Sequence, residues 1–148
     1  MDIFGTISEI LKNKGPQVWI ITPEATVYDA VKLMGEKNIG ALLVMEGAVL
    51  VGVISERDYS RKIALKGKNS RTTPVREILS SPVISVTPKH TVEDCMQLMT
   101  QHHVRHLPVV EHDKVVGIIS IGDLVNWIIN VQRLTIHQLR NYITGQPA

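Results

Sequence analysis

The sequence predicts a mixed α/β (α+β) fold built from two tandem copies of one β-α-β-β-α unit, related by a pseudo-twofold axis, with an extra helix at each end. Three observations predict it. The first is an internal repeat: sliding the 148-residue chain over itself by 65 positions sets segment 18–64 against 83–129 without a gap, and 17 of the 47 facing pairs are identical. They include Thr22/Thr87, Pro23/Pro88, Asp29/Asp94, Gly52/Gly117, Ser55/Ser120 and Asp58/Asp123. The second is that both copies run through the same order of apolar run, helical period and paired apolar runs. The third is size. One unit alone is too small to bury a good core, so two are expected to pack sheet to sheet.

Each element has a local reason. Residues 1–17 hold a helix with Ile3, Ile7, Ile10 and Leu11 on one face. The first copy, 18–66, opens with an apolar strand at Val18–Ile21, which Thr22-Pro23 breaks. A helix follows, started by Thr26-x-x-Asp29, with Val27, Ala30, Val31 and Met34 on one face. Strands at Ala41–Met45 and Val49–Ser55 flank the turn Glu46-Gly47-Ala48, and a second helix begins after Ser55. A polar linker with a short helical turn at Val75–Leu79 fills 67–79. The second copy, 80–131, repeats the order: a strand at Val83–Val86, a helix with Val92, Cys95, Met96 and Met99 on one face, strands at His106–Val110 and Lys114–Ser120, and a helix after Ser120. Residues 132–148 predict a separate C-terminal helix with Ile136, Leu139 and Ile143 on one face.

Composition narrows the function. A net charge of +2 is too small to argue for nucleic acid or an anionic membrane. The single cysteine, Cys95, permits no disulfide framework and falls on the apolar side of its helix, where a buried thiol is expected. No apolar run is long enough to cross a bilayer, and Met1-Asp2-Ile3-Phe4 lacks a secretory pattern, so a cytoplasmic protein is expected. His102, His103 and His106 cluster without the helical spacing of a metal pair. No nucleophile motif and no phosphate-binding glycine pattern is present. Catalysis and a metal requirement are therefore not expected.

The sharpest motifs are Gly52-Val53-Ile54-Ser55-Glu56-Arg57-Asp58 and Gly117-Ile118-Ile119-Ser120-Ile121-Gly122-Asp123. In each, a strand turns into a helix whose first amides and dipole favour an anion. The aspartate can accept hydrogen bonds from two vicinal hydroxyls, as on a ribose. Ser-x-x-Asp is equally the pattern of a capping box, which would serve only to start the helix. The neighbours favour a ligand. Arg57 and Arg61 lie one helical turn apart, and Arg105 and His106 open the strand beside the Ser120 turn. Gly40 and Ala41, at the equivalent positions of the first copy, are small enough for a flat ring to lie against the backbone, or are ordinary strand-start chemistry.

Together with Thr26–Ala30, Ile39–Leu42 and Val104–Val109, these motifs make the chain resemble a cystathionine-β-synthase-type (CBS) domain pair, or Bateman module, over nearly its whole length. The resemblance implies a regulatory sensor that binds AMP, ADP, ATP, an NAD-type dinucleotide or S-adenosylmethionine in two crosswise sites between the copies. It places one ribose on Asp123, with Ser120, Arg105 and His106 toward the phosphate and Ile39, Gly40, Ala41 and Trp19 around the adenine. It places the other on Asp58, with Ser55, Arg57 and Arg61 toward the phosphate and Ser85 and Val104 toward the base. A homodimer and an effector protein as partners follow from the apolar faces of the outer helices and from the lack of an output domain. The alternatives are a nucleic-acid-binding protein, through the basic run Arg57, Arg61, Lys62, Lys66, Lys68 and Arg71, and a purely structural dimerisation protein.

Overall fold

The structure is a computed structural model that describes residues 3–15, 17–79 and 83–145. It divides into two compact units whose limits do not follow the sequence repeat. One takes in 16–85 with 108–117; the other takes in 1–15, 86–107 and 118–148.

In the first unit, β1 (Ile20–Ile21) pairs parallel with β2 (Ala41–Glu46), which pairs antiparallel with β3 (Val49–Ser55). Leu42, Leu43 and Val44 are fully buried, as expected of a strand covered on both faces. The register slips between Val44 and Met45. Helix α2 (Val27–Lys37) starts at Thr26, whose hydroxyl accepts from the Asp29 N–H, and ends at Asn38 in the left-handed region. Its Val27, Ala30 and Met34 join Leu42, Val44, Ile54 and Ile63 in the core. After β3 comes one α-helical turn, α3 (Glu56–Tyr59), which widens into a π-helical stretch at Ser60–Ala64.

In the second unit, α1 (Ile7–Lys14) packs with α4 (Val92–His102) and α5 (Ile121–Thr144). The strands β4 (His106–Glu111) and β5 (Lys114–Ser120) form a sheet of their own, of which residues 108–117 count with the first unit. Thr91 and Asp94 close a reciprocal cap on α4. The Asp94 carboxyl is held below its ordinary value, first by the Thr91 N–H and then by the Thr91 hydroxyl. Cys95 is buried among apolar neighbours, and desolvation pushes its thiol up to about 12, the behaviour of an inert core residue.

Three sequence expectations change. The Val83–Val86 run makes no strand, and only Val86 forms an isolated bridge. In the first copy the Leu43 N–H donates to the Trp19 carbonyl at 3.1 Å. The equivalent of Leu43 is Pro108, which has no N–H to offer. The helix after Ser120 and the C-terminal helix are one continuous rod of 24 residues, because nothing between Asn130 and Arg133 breaks it. The turn at Val75–Leu79, expected to lead into the second copy, packs on the first. The boundary at 80–82 and the tail at 146–148 lie outside the described residues.

That last change has a counterpart in the other unit. The Val75 and Arg76 amides donate to the Ala25 and Pro23 carbonyls at 2.8 and 2.9 Å, and the Val27 amide donates to Thr73. The Ile7 and Ser8 amides donate to His90 and Pro88, both at 2.9 Å, and the Val92 amide donates to Gly5. The acceptors differ by 65 positions, the incoming segments by 68. Ile7-Ser8-Glu9-Ile10-Leu11 therefore corresponds to Val75-Arg76-Glu77-Ile78-Leu79. Each copy's first helix receives the segment that precedes the other copy, and Ile7, Ile10, Val75 and Ile78 are all buried by it. Leu79 also explains Gly52, since a Cβ there would lie 3.0 Å from the Leu79 Cβ.

Ile78→Ala is expected to cost about 2–5 kcal/mol, read as a lower urea midpoint. A loss below about 0.5 kcal/mol would mean that the segment is peripheral to the core.

Candidate functional site

Each strand-to-helix junction is built from backbone first. The Glu56 N–H donates to the Gly40 carbonyl at 3.0 Å, and the Ile121 N–H donates to the Arg105 carbonyl at 2.8 Å. The loop that opens β2 or β4 is thereby fixed to the first turn of α3 or α5. The third amide of each helix is also used: Asp58 N–H donates to Ser55 Oγ at 3.2 Å, and Asp123 N–H donates to Ser120 Oγ at 3.1 Å. The carboxylates return the bond, with Asp58 Oδ2 accepting from Ser55 N–H at 2.9 Å and Asp123 Oδ2 from Ser120 N–H at 2.8 Å. Ser55 Oγ donates to the same Asp58 oxygen at 3.0 Å.

The capping box weighed in the sequence is thus formed at both junctions. This corrects the expectation of open amides, because two of the first three in each helix are consumed internally. It does not exhaust the carboxylates. An ionised carboxylate has about four lone-pair sites, and the cap draws on one oxygen. Both carboxylates also hold an ammonium. Lys62 Nζ lies 3.1 Å from Asp58 Oδ1 and donates to the Ile78 carbonyl at 2.9 Å. Lys14 Nζ lies 2.7 Å from Asp123 Oδ2 and donates to the Ile118 carbonyl at 2.8 Å. The Asp58 and Asp123 carboxylates keep 13% and 23% side-chain exposure.

Lys14 and Lys62 were not among the site residues read from sequence. Lys62 was detectable, as the lysine four residues after an aspartate on one helix face. Lys14 was not, since it meets Asp123 across 109 residues.

The remaining candidates distribute unevenly. In the first unit the structure brings Gly40, Ala41, Ser55 and Asp58 together: Ala41 pairs with Ser55 and is buried, and the Gly40 carbonyl is spent on α3. Arg57 is half-buried on that turn, and Arg61 is exposed in the π-helical stretch that follows. Ile39 packs on the core, and so does Trp19, over whose ring the Lys37 ammonium sits 4.4 Å from the centre. Ser85 is exposed and outside any regular element. In the second unit Arg105, Ser120 and Asp123 share the junction. His106 is half-buried at the start of β4, and Val104 is half-buried with its N–H on the Met99 carbonyl. In the basic run, Lys62 is committed to Asp58 and Arg71 stacks on Tyr28 at 4.2 Å. Among the described residues no cluster of His, Cys, Asp or Glu could hold a metal ion, and no helix is long and apolar enough to cross a membrane.

Comparison with known proteins converges on one description. The family model for the CBS domain matches twice, at residues 7–65 and 75–130. The first match includes α1 and the second includes Val75–Leu79, the two exchanged segments. A mitochondrial CBS domain-containing protein of Arabidopsis thaliana, CBSX3, is 42% identical over 149 aligned residues, spanning 95% of this chain and 72% of its own length. A solved protein with CBS domains from Burkholderia ambifaria MC40-6 superposes with a TM-score of 0.81 at 46% identity, covering 84% of this chain and 94% of its own. The CBS domain pair of MJ0100, solved with 5-methylthioadenosine and S-adenosyl-L-methionine, superposes at 0.73 with 22% identity, covering 84% and 96%; it shares the fold.

Ser120→Ala removes the hydroxyl that receives the Asp123 amide and is expected to cost about 1 kcal/mol, measured by urea unfolding. An unchanged unfolding curve would show that the box adds nothing to the start of α5.

Proposed function

Because the chain belongs to the CBS domain family, whose tandem pairs are regulatory modules, we propose that it is a sensor that binds an adenine nucleotide and passes occupancy to an effector protein, without catalysing a reaction. The observation that carries the reading is the pair of capping carboxylates, each bonded through one oxygen to its own helix and each engaged by a lysine that a ligand can displace. A ribose offers two adjacent hydroxyl donors to such a group, and hydrogen bonds to a charged acceptor are the stronger kind. Ser120, Arg105 and His106 then stand for the phosphate of the ligand on Asp123, and Ser55, Arg57 and Arg61 for that of the ligand on Asp58. With so many helix amides already spent, phosphate recognition falls to these side chains. Trp19, Ile39, Gly40, Ala41, Ser85 and Val104 are the base-side candidates.

The ligand class is AMP, ADP, ATP or NAD(H), with no metal required. Occupancy would reach an effector by shifting an equilibrium between two arrangements of the chain, to the extent of the nucleotide's differential affinity for them. In a thermal-shift panel of AMP, ATP, NAD and NADH, a binder at a hundred times its Kd is expected to stabilise by about 2.7 kcal/mol. That corresponds to roughly 2–4 °C per kcal/mol. Asp58→Asn combined with Asp123→Asn is expected to abolish the shift, and 2′-deoxy-AMP to bind about tenfold more weakly than AMP. A panel in which no nucleotide moves the midpoint would sink the reading.

The homodimer has its own support. Along α5, Val125, Ile129, Gln132, Ile136, Leu139 and Ile143 alternate spacings of four and three, the pattern of a helix seam that faces another helix. All five apolar members are exposed, Ile143 at 81%. A continuous apolar stripe of this kind calls for a cover. A second copy offers the same stripe about a twofold axis, and Gln132 supplies the polar position that fixes register. Ile136→Glu with Leu139→Glu is expected to convert a dimer into a folded monomer in light scattering coupled to size exclusion. An unmutated chain that runs as a monomer at high concentration rules the dimer out.

A further inference from the structure

The two carboxylates hold their ammonium groups in different ways. Lys62 stands four residues after Asp58 on the same stretch of chain, so removing it from the carboxylate moves one side chain. The position equivalent to Lys62 in the second copy is Trp127, which cannot supply a cation. Its indole N–H donates instead to the Phe4 carbonyl at 2.6 Å. The missing ammonium arrives from α1, as its last residue, Lys14, on Asp123 and the Ile118 carbonyl. The N-terminal segment is therefore fastened to α5 and its junction at both ends, by Trp127 before α1 and by Asp123 at its close. Ile7 and Ile10 are buried between them.

We propose that Lys14 is a displaceable latch, so that a ribose arriving at Asp123 takes the carboxylate from Lys14 and frees the last turn of α1. The inference rests on the ribose-binding reading of Asp123. The Asp123 oxygen that Lys14 touches already accepts the Ser120 amide, so two hydroxyls on the same carboxylate crowd the ammonium at 2.7 Å. Lys14 is about a third exposed, so water replaces its lost partner at little cost. The coupling is reciprocal: what the ribose does to the latch, the latch does to ribose affinity. Occupancy at Asp123 is then transmitted to the N-terminal helix, and occupancy at Asp58 is not.

Two measurements test this, using AMP and, separately, NAD as probes. In hydrogen exchange on the unmutated chain, either nucleotide is expected to speed exchange at Gly15, whose N–H closes α1 on the Leu11 carbonyl at 2.8 Å. In calorimetric titration Lys14→Met is expected to bind about two- to fivefold more tightly than the unmutated chain. Its Gly15 amide should exchange fast with or without ligand. Slower or unchanged exchange at Gly15, or equal or weaker binding by Lys14→Met, overturns the latch and leaves the sensor standing. If neither probe, nor ADP, ATP or NADH in its place, binds either protein, the sensor reading falls and takes the latch with it.

Discussion

A backbone amide that leaves water must find an acceptor. In both units the turn that follows Thr-Pro finds its partners on a segment from a remote part of the chain. Residues 5–8 pair around Pro88–Val92, and residues 73–76 pair around Pro23–Val27, with the same donors and acceptors in the same order. The remaining packing follows from this exchange. It brings Ile7 and Ile10 into one core and Val75 and Ile78 into the other. It sets Leu79 so close to β3 that a Cβ at position 52 would crowd it. The glycine of the Gly-Val-Ile-Ser motif is thus accounted for by packing.

Much of the architecture was legible because it is local. Thr26 and Thr91 announce their helices by a hydroxyl three residues before an amide that needs it, and the mixed α/β fold follows from the repeat. What escaped has physical reasons. The exchanged segments carry Ile-x-Glu-Ile-Leu and Val-x-Glu-Ile-Leu, a resemblance hidden because their offset is 68 while the repeats are offset by 65. The strand lost at Val83–Val86 follows from one ring at Pro108, whose effect appears only once the Leu43 bond to Trp19 is seen. The unbroken α5 hid behind a change of surroundings: Leu124 in its first turn is buried, whereas Leu134, Ile136, Leu139 and Ile143 farther along are exposed, which in sequence looks like two helices.

At the junctions, the capping box of Ser-x-x-Asp is formed, and the proposed ligand would use the same carboxylates. Capping holds the carboxylate in one orientation through one oxygen, and a group already held rigid loses little freedom on binding a ligand. The cost is amide capacity, spent on the Gly40 and Arg105 carbonyls and on the serine hydroxyls. The copies also diverged where the duplication left room. Trp127 stands where the first copy has Lys62, and the ammonium on Asp123 comes from α1 instead.

Pro108 has an effect beyond the strand it prevents. It lies buried between Leu107 and Val109, which are fully enclosed. An N–H at that place would need an acceptor, and the strand that supplies one in the first copy is missing here. The pyrrolidine ring removes the donor together with its partner, so no orphaned amide is left inside.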